Sequence, residues 1–290
     1  MDRIIRLSDK EGHVRAFAAD TTQLVEHARK IHDTYPVVTA ALGRMLTANA
    51  MMGITLKNVN ETISLQVRGD GPIESIVTVS DCFGNVRGYV GNPAVDIPPK
   101  YAGKLDVGSA VGKGYLTVIR DMKMKEPYVG RVQLQTGEIA EDIAYYYGVS
   151  EQVPSVVALG VLVDKDWSVK AAGGYIVQLM PDATEEEIKR IEENLATVKP
   201  VSSLIAEGAT PEELIEGVLK GFELTENTEV TTEYKCNCTK ERIERALISI
   251  GKNEIEKIIE EDGEAEIGCY FCGRKYKFNR DELEEIVSRI

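Results

Sequence analysis

Over the first 180 residues the apolar positions fall into short runs separated by polar turn residues, the spacing of mixed strands and helices. "RIIRLS" and "HVRAFAAD" predict two strands around the polar turn Asp9 to Gly12, and "TTQLVEHARKIH" predicts a helix with Asp20 or Thr21 as N-cap. The stretch from Tyr35 to Lys57 is apolar on nearly every face, the mark of a helix buried in the centre of a domain. "TISLQVRG", "IESIVTVS" and "VRGYVG" follow, split by the turn signals Asp70-Gly71-Pro72 and Gly84-Asn85, and predict an antiparallel meander. "YLTVIRDM" with "YVGRVQLQ" predicts a hairpin and "EIAEDIAYYYGVSEQ" a helix. "SVVALGVLVD" and "VKAAGGYIVQLM" give a last strand pair around the turn at Asp164 to Asp166. The fold class is α+β: a core domain over residues 1–180 with an antiparallel sheet and packed helices.

After Met180-Pro181 the pattern becomes helical. "ATEEEIKRIEENLATVK" opens on a capping box, Thr184 with Glu187, and carries one narrow stripe, Ile188, Ile191, Leu195 and Val198. "ATPEELIEGVLKGF" repeats the device with Thr210 as N-cap, Pro211 at N1 and Glu213 at N3. Pro200 and Gly208 keep these helices short, and isolated helices under roughly 12 to 15 residues are marginal in water. Residues 181–230 therefore form a helical linker that is held by docking. Residues 231–290 form a small terminal domain: a helix "KERIERALISIG" ended by Gly251, a helix "NEIEKIIEEDG" with Asn253 and Glu256 as capping box, a hairpin "AEIGCYFCGRKYKF", and a final helix capped by Asn279.

Charge sharpens this division. The net charge is -13, yet residues 1–180 hold 20 acids and 19 bases, residues 181–230 hold 13 and 4, and residues 231–290 hold 14 and 11. Most of the excess negative charge thus sits in the linker, and an acidic chain argues against nucleic acid as partner. With 43% hydrophobic and 28% charged residues the composition is that of a soluble globular protein. No segment approaches the roughly 20 apolar residues of a membrane span, and the charged N-terminus has no signal-peptide core. The expected compartment is the cytoplasm.

Four of the five cysteines lie in the terminal domain, as Cys236-x-Cys238 and Cys269-x-x-Cys272. In a reducing compartment clustered thiols indicate a metal site or a redox device. Each close pair can place two sulfurs on one ion, and folding back of the intervening helices yields a tetrahedral four-thiolate Zn2+ site. Cys269-Tyr270-Phe271-Cys272-Gly273 resembles a zinc knuckle. One reading is static: a zinc ribbon that scaffolds recognition of nucleic acid or a protein partner. A second is a switch, since Lys235, Lys240, Arg274, Lys275 and Lys277 favour the thiolates that oxidants attack. A thiol oxidoreductase built on Cys269 and Cys272 ranks third, because its thiols belong at the start of a helix in a βαβ unit, not in a hairpin.

With these cysteine pairs, "TAALGRMLTANAMMGITLK", "RGDGPI", "VRGYVGNP", "SEQVPSVVALGVLV" and "GGYIVQLMP", the chain resembles the redox-switched, thirty-three-kilodalton heat-shock chaperone family over nearly its whole length. The resemblance implies an ATP-independent holdase, inactive while reduced and bound to one Zn2+ through Cys236, Cys238, Cys269 and Cys272. It implies that oxidative stress joins Cys236 to Cys238 and Cys269 to Cys272, releases zinc and unfolds the switch domain and linker. The exposed surface then binds unfolding client proteins, usually as a homodimer.

Elsewhere the chemistry is sparse. Cys82 reads as a lone, partly buried thiol at a turn. His13, His27 and His32 lie far from the cysteines in sequence and read as surface positions, and Tyr145 to Gln152 as helix packing. No nucleophile, base and orienter stand together and no nucleotide-binding fingerprint occurs, so no enzyme is expected.

Overall fold

A computed structural model describes residues 1–101 and 103–290, leaving aside the side chains of Glu226 and Asn227. The chain forms two compact units, Met1–Lys235 and Cys236–Ile290.

In the first unit the elements run β1 (Arg3–Asp9), β2 (Val14–Asp20), α1 (Thr22–His32), α2 (Pro36–Gly53), β3 (Thr62–Gly69), β4 (Ser75–Asp81), β5 (Val86–Val90), α3 (Val107–Val111), β6 (Gly114–Asp121), β7 (Tyr128–Gln133), α4 (Ala140–Val149), β8 (Ser155–Val163), β9 (Val169–Leu179), α5 (Glu185–Leu195), α6 (Val201–Ala206), α7 (Pro211–Val218) and β10 (Leu224–Thr231). The strands form two antiparallel five-stranded sheets, ordered β10-β1-β2-β9-β8 and β5-β4-β3-β6-β7. Between them lies α2, buried at every position except Pro36 and Arg44, as its all-round apolar sequence predicts.

Alternation along the first sheet explains its nearly continuous apolar strands, because successive side chains point to opposite faces. Ile4, Phe17, Ala19 and Ile176 join α2 in one core. Their neighbours Ile5, Ala16, Ala18, Tyr175 and Val177 form a second core with Ile191, Val201, Ile205, Leu214, Ile215 and Val218 from α5, α6 and α7. The stripe on the acidic helices thus finds its docking surface on the outer face of the core sheet. Both capping boxes form: Thr184 with Glu187 and Thr210 with Glu213. The strand β10, absent from the sequence-based expectation, pairs antiparallel with β1 and extends that sheet beyond residue 180.

The second unit holds α8 (Lys240–Ile250), α9 (Lys252–Glu261), β11 (Ala265–Gly268), β12 (Lys275–Phe278) and α10 (Arg280–Ser288). Its core is thin, with Leu247, Ile255, Ile259, Phe278, Leu283 and Ile286 buried. Asn279 caps α10 as expected. Asn253 does not cap α9: the helix already starts at Lys252, behind Gly251 at φ 94°. Among the described residues no helix is long and apolar enough to cross a membrane.

Candidate metal centre

Cys236 and Cys238 lie on the extended segment before α8, whose N-cap Thr239 accepts the Arg242 N–H. Cys269 and Cys272 lie in the turn that joins β11 to β12. That turn is closed by the Gly273 N–H to the Cys269 carbonyl at 2.8 Å and the Cys269 N–H to the Arg274 carbonyl at 2.9 Å. Gly273 stands at φ 67°, a conformation that a residue with a Cβ adopts at a cost. The second pair therefore sits on backbone fixed by short-range hydrogen bonds.

All four sulfurs lie within 4.8 Å of one another. The short contacts run between the motifs, Cys236 Sγ to Cys269 Sγ at 3.7 Å and Cys238 Sγ to Cys272 Sγ at 3.4 Å. Zn–S bonds of about 2.3 Å at tetrahedral angles separate sulfurs by about 3.8 Å. The four thiols thus form one set of the right size to hold a metal ion.

Burial pushes the Cys236 and Cys272 thiols above the ordinary range. Burial also opposes ionisation of Cys238, but hydrogen bonds outweigh it, first that of the Tyr276 hydroxyl and then those of the neighbouring thiols, and bring it down to about 7. Tyr276 donates to Cys238 Sγ at 3.1 Å and lies 3.1 Å from its carbonyl oxygen. Sequence spacing cannot reveal this partner, because pairing of β12 is what turns the ring toward Cys238. Arg274 is held more firmly protonated, first by Tyr276 and then by the nearby sulfur of Cys238. The other basic neighbours are engaged by carboxylates: Lys275 and Lys277 with Glu266, Lys240 with Glu282, Lys235 with Glu233. Their effect on the thiols is correspondingly muted.

Cys82 stands apart from this set, half-buried at the β4–β5 turn, with its thiol raised by burial and by Asp81. His27 and His32 pack beside the Tyr234 ring. His13 meets Glu187, with 3.0 Å between Nδ1 and Oε1. Tyr146 and Tyr147 are buried and Tyr145 is exposed, as expected of a packed helix.

Comparison with known proteins places this geometry in a family. The model of the family described as Hsp33 protein matches residues 2–279. The chain is 50% identical over 286 residues to the 33 kDa chaperonin of Ruminiclostridium cellulolyticum, covering 99% of this chain and 98% of that one. It is 46% identical over 288 residues to that of Lachnoclostridium phytofermentans, covering 99% of both. The crystal structure of the 33 kDa chaperonin from Thermotoga maritima, an Hsp33 homologue, superposes with a TM-score of 0.91 at 36% identity, covering 99% of this chain and 98% of that one. On sequence, fold and cysteine cluster, this chain belongs to the Hsp33 chaperone family.

Proposed function

We propose that this chain is a redox-regulated, ATP-independent holdase of the cytoplasm, inactive while its four thiols are reduced and bound to one Zn2+. The observation that carries this reading is the convergence of Cys236, Cys238, Cys269 and Cys272 within 4.8 Å in a unit with so thin a core. Zn2+ held there supplies four metal–sulfur bonds, and structural zinc contributes on the order of 10 kcal/mol to the folding of small domains. Whole domains are stable by only about 5 to 15 kcal/mol. The fold of Cys236–Ile290 therefore depends on keeping its sulfurs reduced.

A peroxide removes that condition. Two electrons leave each close pair of zinc-bound thiolates, Cys236 with Cys238 and Cys269 with Cys272, following the family's pattern, and two protons from solvent join them on each peroxide. Two S–S bonds form, and each peroxide is reduced to two waters. The Cys-x-Cys ring is small and strained, so the first pair reacts once its segment has loosened. Joined to each other, the sulfurs no longer offer a four-thiolate donor set, and the terminal unit unfolds.

Residues 181–230 then act as the linker. Released from the sheet, their helices present Ile191, Leu214, Ile215 and Val218 together with the sheet face they covered. Such a surface binds unfolding client proteins without sequence preference. The acidic surplus keeps the opened chain soluble, and two opened chains associate as a homodimer.

One sample tests this. Reduced, zinc-loaded protein is treated with peroxide near its working temperature, with freed zinc followed by a chelating dye and client aggregation by light scattering. Zinc release and client protection rise together, and in Cys269→Ser with Cys272→Ser, which has no thiolate-bound zinc to release, peroxide no longer changes client protection. Metal that stays bound, or leaves without any gain in protection, makes the cysteines static scaffolding.

A further inference from the structure

We propose a second divalent-cation site, for a borderline ion such as Zn2+ or Co2+, formed by Asp9, His13 and Glu187. Asp9 and His13 flank the β1–β2 turn, and Glu187 lies in the first turn of α5, so the ligands come from the two elements that linker docking brings together. One ligand atom from each of the three lies within 4.8 Å of the others. His13 Nδ1 stands 3.0 and 3.1 Å from the Glu187 carboxylate oxygens and 4.0 Å from Glu11 Oε2. Asp9 is buried; its Oδ1 accepts the Val14 N–H at 2.7 Å, and its Oδ2 accepts no hydrogen bond among the described residues.

Imidazole with carboxylates is a donor set that borderline ions take. Metal–ligand bonds of about 2.0 to 2.2 Å place the atoms of one tetrahedral shell about 3.3 to 3.6 Å apart. His13 and Glu187 are already near that spacing, and Asp9 lies within 4.8 Å of both. Charge points the same way: Asp9, Glu11 and Glu187 surround a single imidazole, and the two cations that line the same cleft, Lys10 and Arg190, have partners of their own. Lys10 pairs with Glu223 at 3.0 Å, and Arg190 donates to the Gly221 carbonyl at 3.1 Å. A cleft of about 480 Å³ beside the cluster leaves room for water to complete the coordination. The ion takes the place of the His13 Nδ1 proton, which passes to solvent.

The site does not depend on the cysteine switch. Its consequence does rest on the proposed function: an ion bridging Glu187 to the core hairpin would hold α5 on the sheet and raise the threshold for opening.

Reduced full-length chain, freed of metal, is dialysed against Co2+ and its metal content and absorption spectrum are measured. The expected result is two equivalents, one with intense sulfur-to-cobalt charge-transfer bands and one with weak ligand-field bands alone. His13→Gln and Glu187→Gln each lose the second equivalent and keep the charge-transfer bands. Gln at 187 still accepts the Thr184 N–H, so the capping box survives and circular dichroism checks that the fold does. Equal metal content in wild type and both variants overturns the proposal. A His13-dependent equivalent without charge-transfer bands would uphold it while the thiolate reading fails. Tryptic cleavage after Lys189 and Arg190 slows with Co2+ in wild type and not in the variants; a rate that Co2+ leaves unchanged in wild type overturns the bridge.

Discussion

Cys269 is buried while the other three clustered cysteines are half-buried, so its sulfur has the least access to water as a substitute partner. Cys269→Ser should remove the thiolate-bound equivalent of zinc from reduced protein and unfold Cys236–Ile290 at room temperature. Metal analysis with amide hydrogen exchange over α8 to α10 reads both. A titrating pair in the first unit gives a pH-dependent counterpart. Glu26 accepts from Arg29 Nε and Nη2 at 2.8 Å and from the Val169 N–H at 2.9 Å, and these contacts, the Arg29 side chain foremost, hold it down to about 2. Its folded value lies below the unfolded one, so it stabilises above about pH 4.5 and loses that effect as pH falls toward 2. Allowing for its partial solvent exposure, Glu26→Gln should cost about 1 to 2 kcal/mol at pH 7 and almost nothing near pH 2. Urea titration followed by the fluorescence of Trp167, the single tryptophan, gives the difference. Local spacing made the cysteines legible because their motif lies along the chain. It could not show that the Asp2 carboxylate accepts the Gln23 and Leu24 N–H groups at the start of α1, where Asp20 or Thr21 was expected to act. The Asp20 side chain does accept the Thr22 N–H, but Thr21 makes no side-chain cap.

At the scale of elements, the acidic helices illustrate what periodicity conveys. Ile191, Leu214, Ile215 and Val218 are at most 3% exposed; of the predicted stripe Ile191 is buried and Leu195 and Val198 pack against the same core, which Ile188 does not join. The stripe states that a partner surface exists and leaves its identity open; alternation along β1, β2 and β9 supplies it, because those strands are apolar on both faces. β10 escaped notice because its Thr and Glu residues read as a solvated linker, and its pairing with β1 is a long-range choice. The docked helices make a clear test of the opening step. Leu214→Ala removes a fully buried side chain from the second core, a change that costs about 2 to 5 kcal/mol. Loss of a capping threonine at 184 or 210 costs only about 1 kcal/mol. Reduced, zinc-bound Leu214→Ala protein should therefore show faster hydrogen exchange across α5 to α7 and suppress client aggregation without oxidant. Thr184→Ala should lie between it and wild type. Fast exchange without client protection would mean that the docked face is not the client-binding surface.

Across the whole molecule, composition and folding divide the chain at different places. The charge shift at residue 181 marks where the acidic helices begin, but these helices and β10 fold within Met1–Lys235, and the second unit starts at Cys236. The segment just before that cysteine is tied down inside the first unit: the Val86 N–H donates to the Glu233 carbonyl at 3.1 Å, and the Lys235 N–H donates to the Val86 carbonyl at 3.0 Å. Removal of metal should accordingly act in two steps. A strong chelator added to reduced protein should abolish the exchange protection of α8 to α10 at once, while Trp167 fluorescence and the protection of β3 to β7 persist. Warming the chelated protein should next release α5 to α7, held by one apolar face and burdened by their own negative charge. Client protection should follow this second step and not the first. Hydrogen exchange and light scattering recorded along one temperature ramp separate the two. Protection of clients that appears with the first step alone would place the client-binding surface in Cys236–Ile290 and remove the linker from the mechanism.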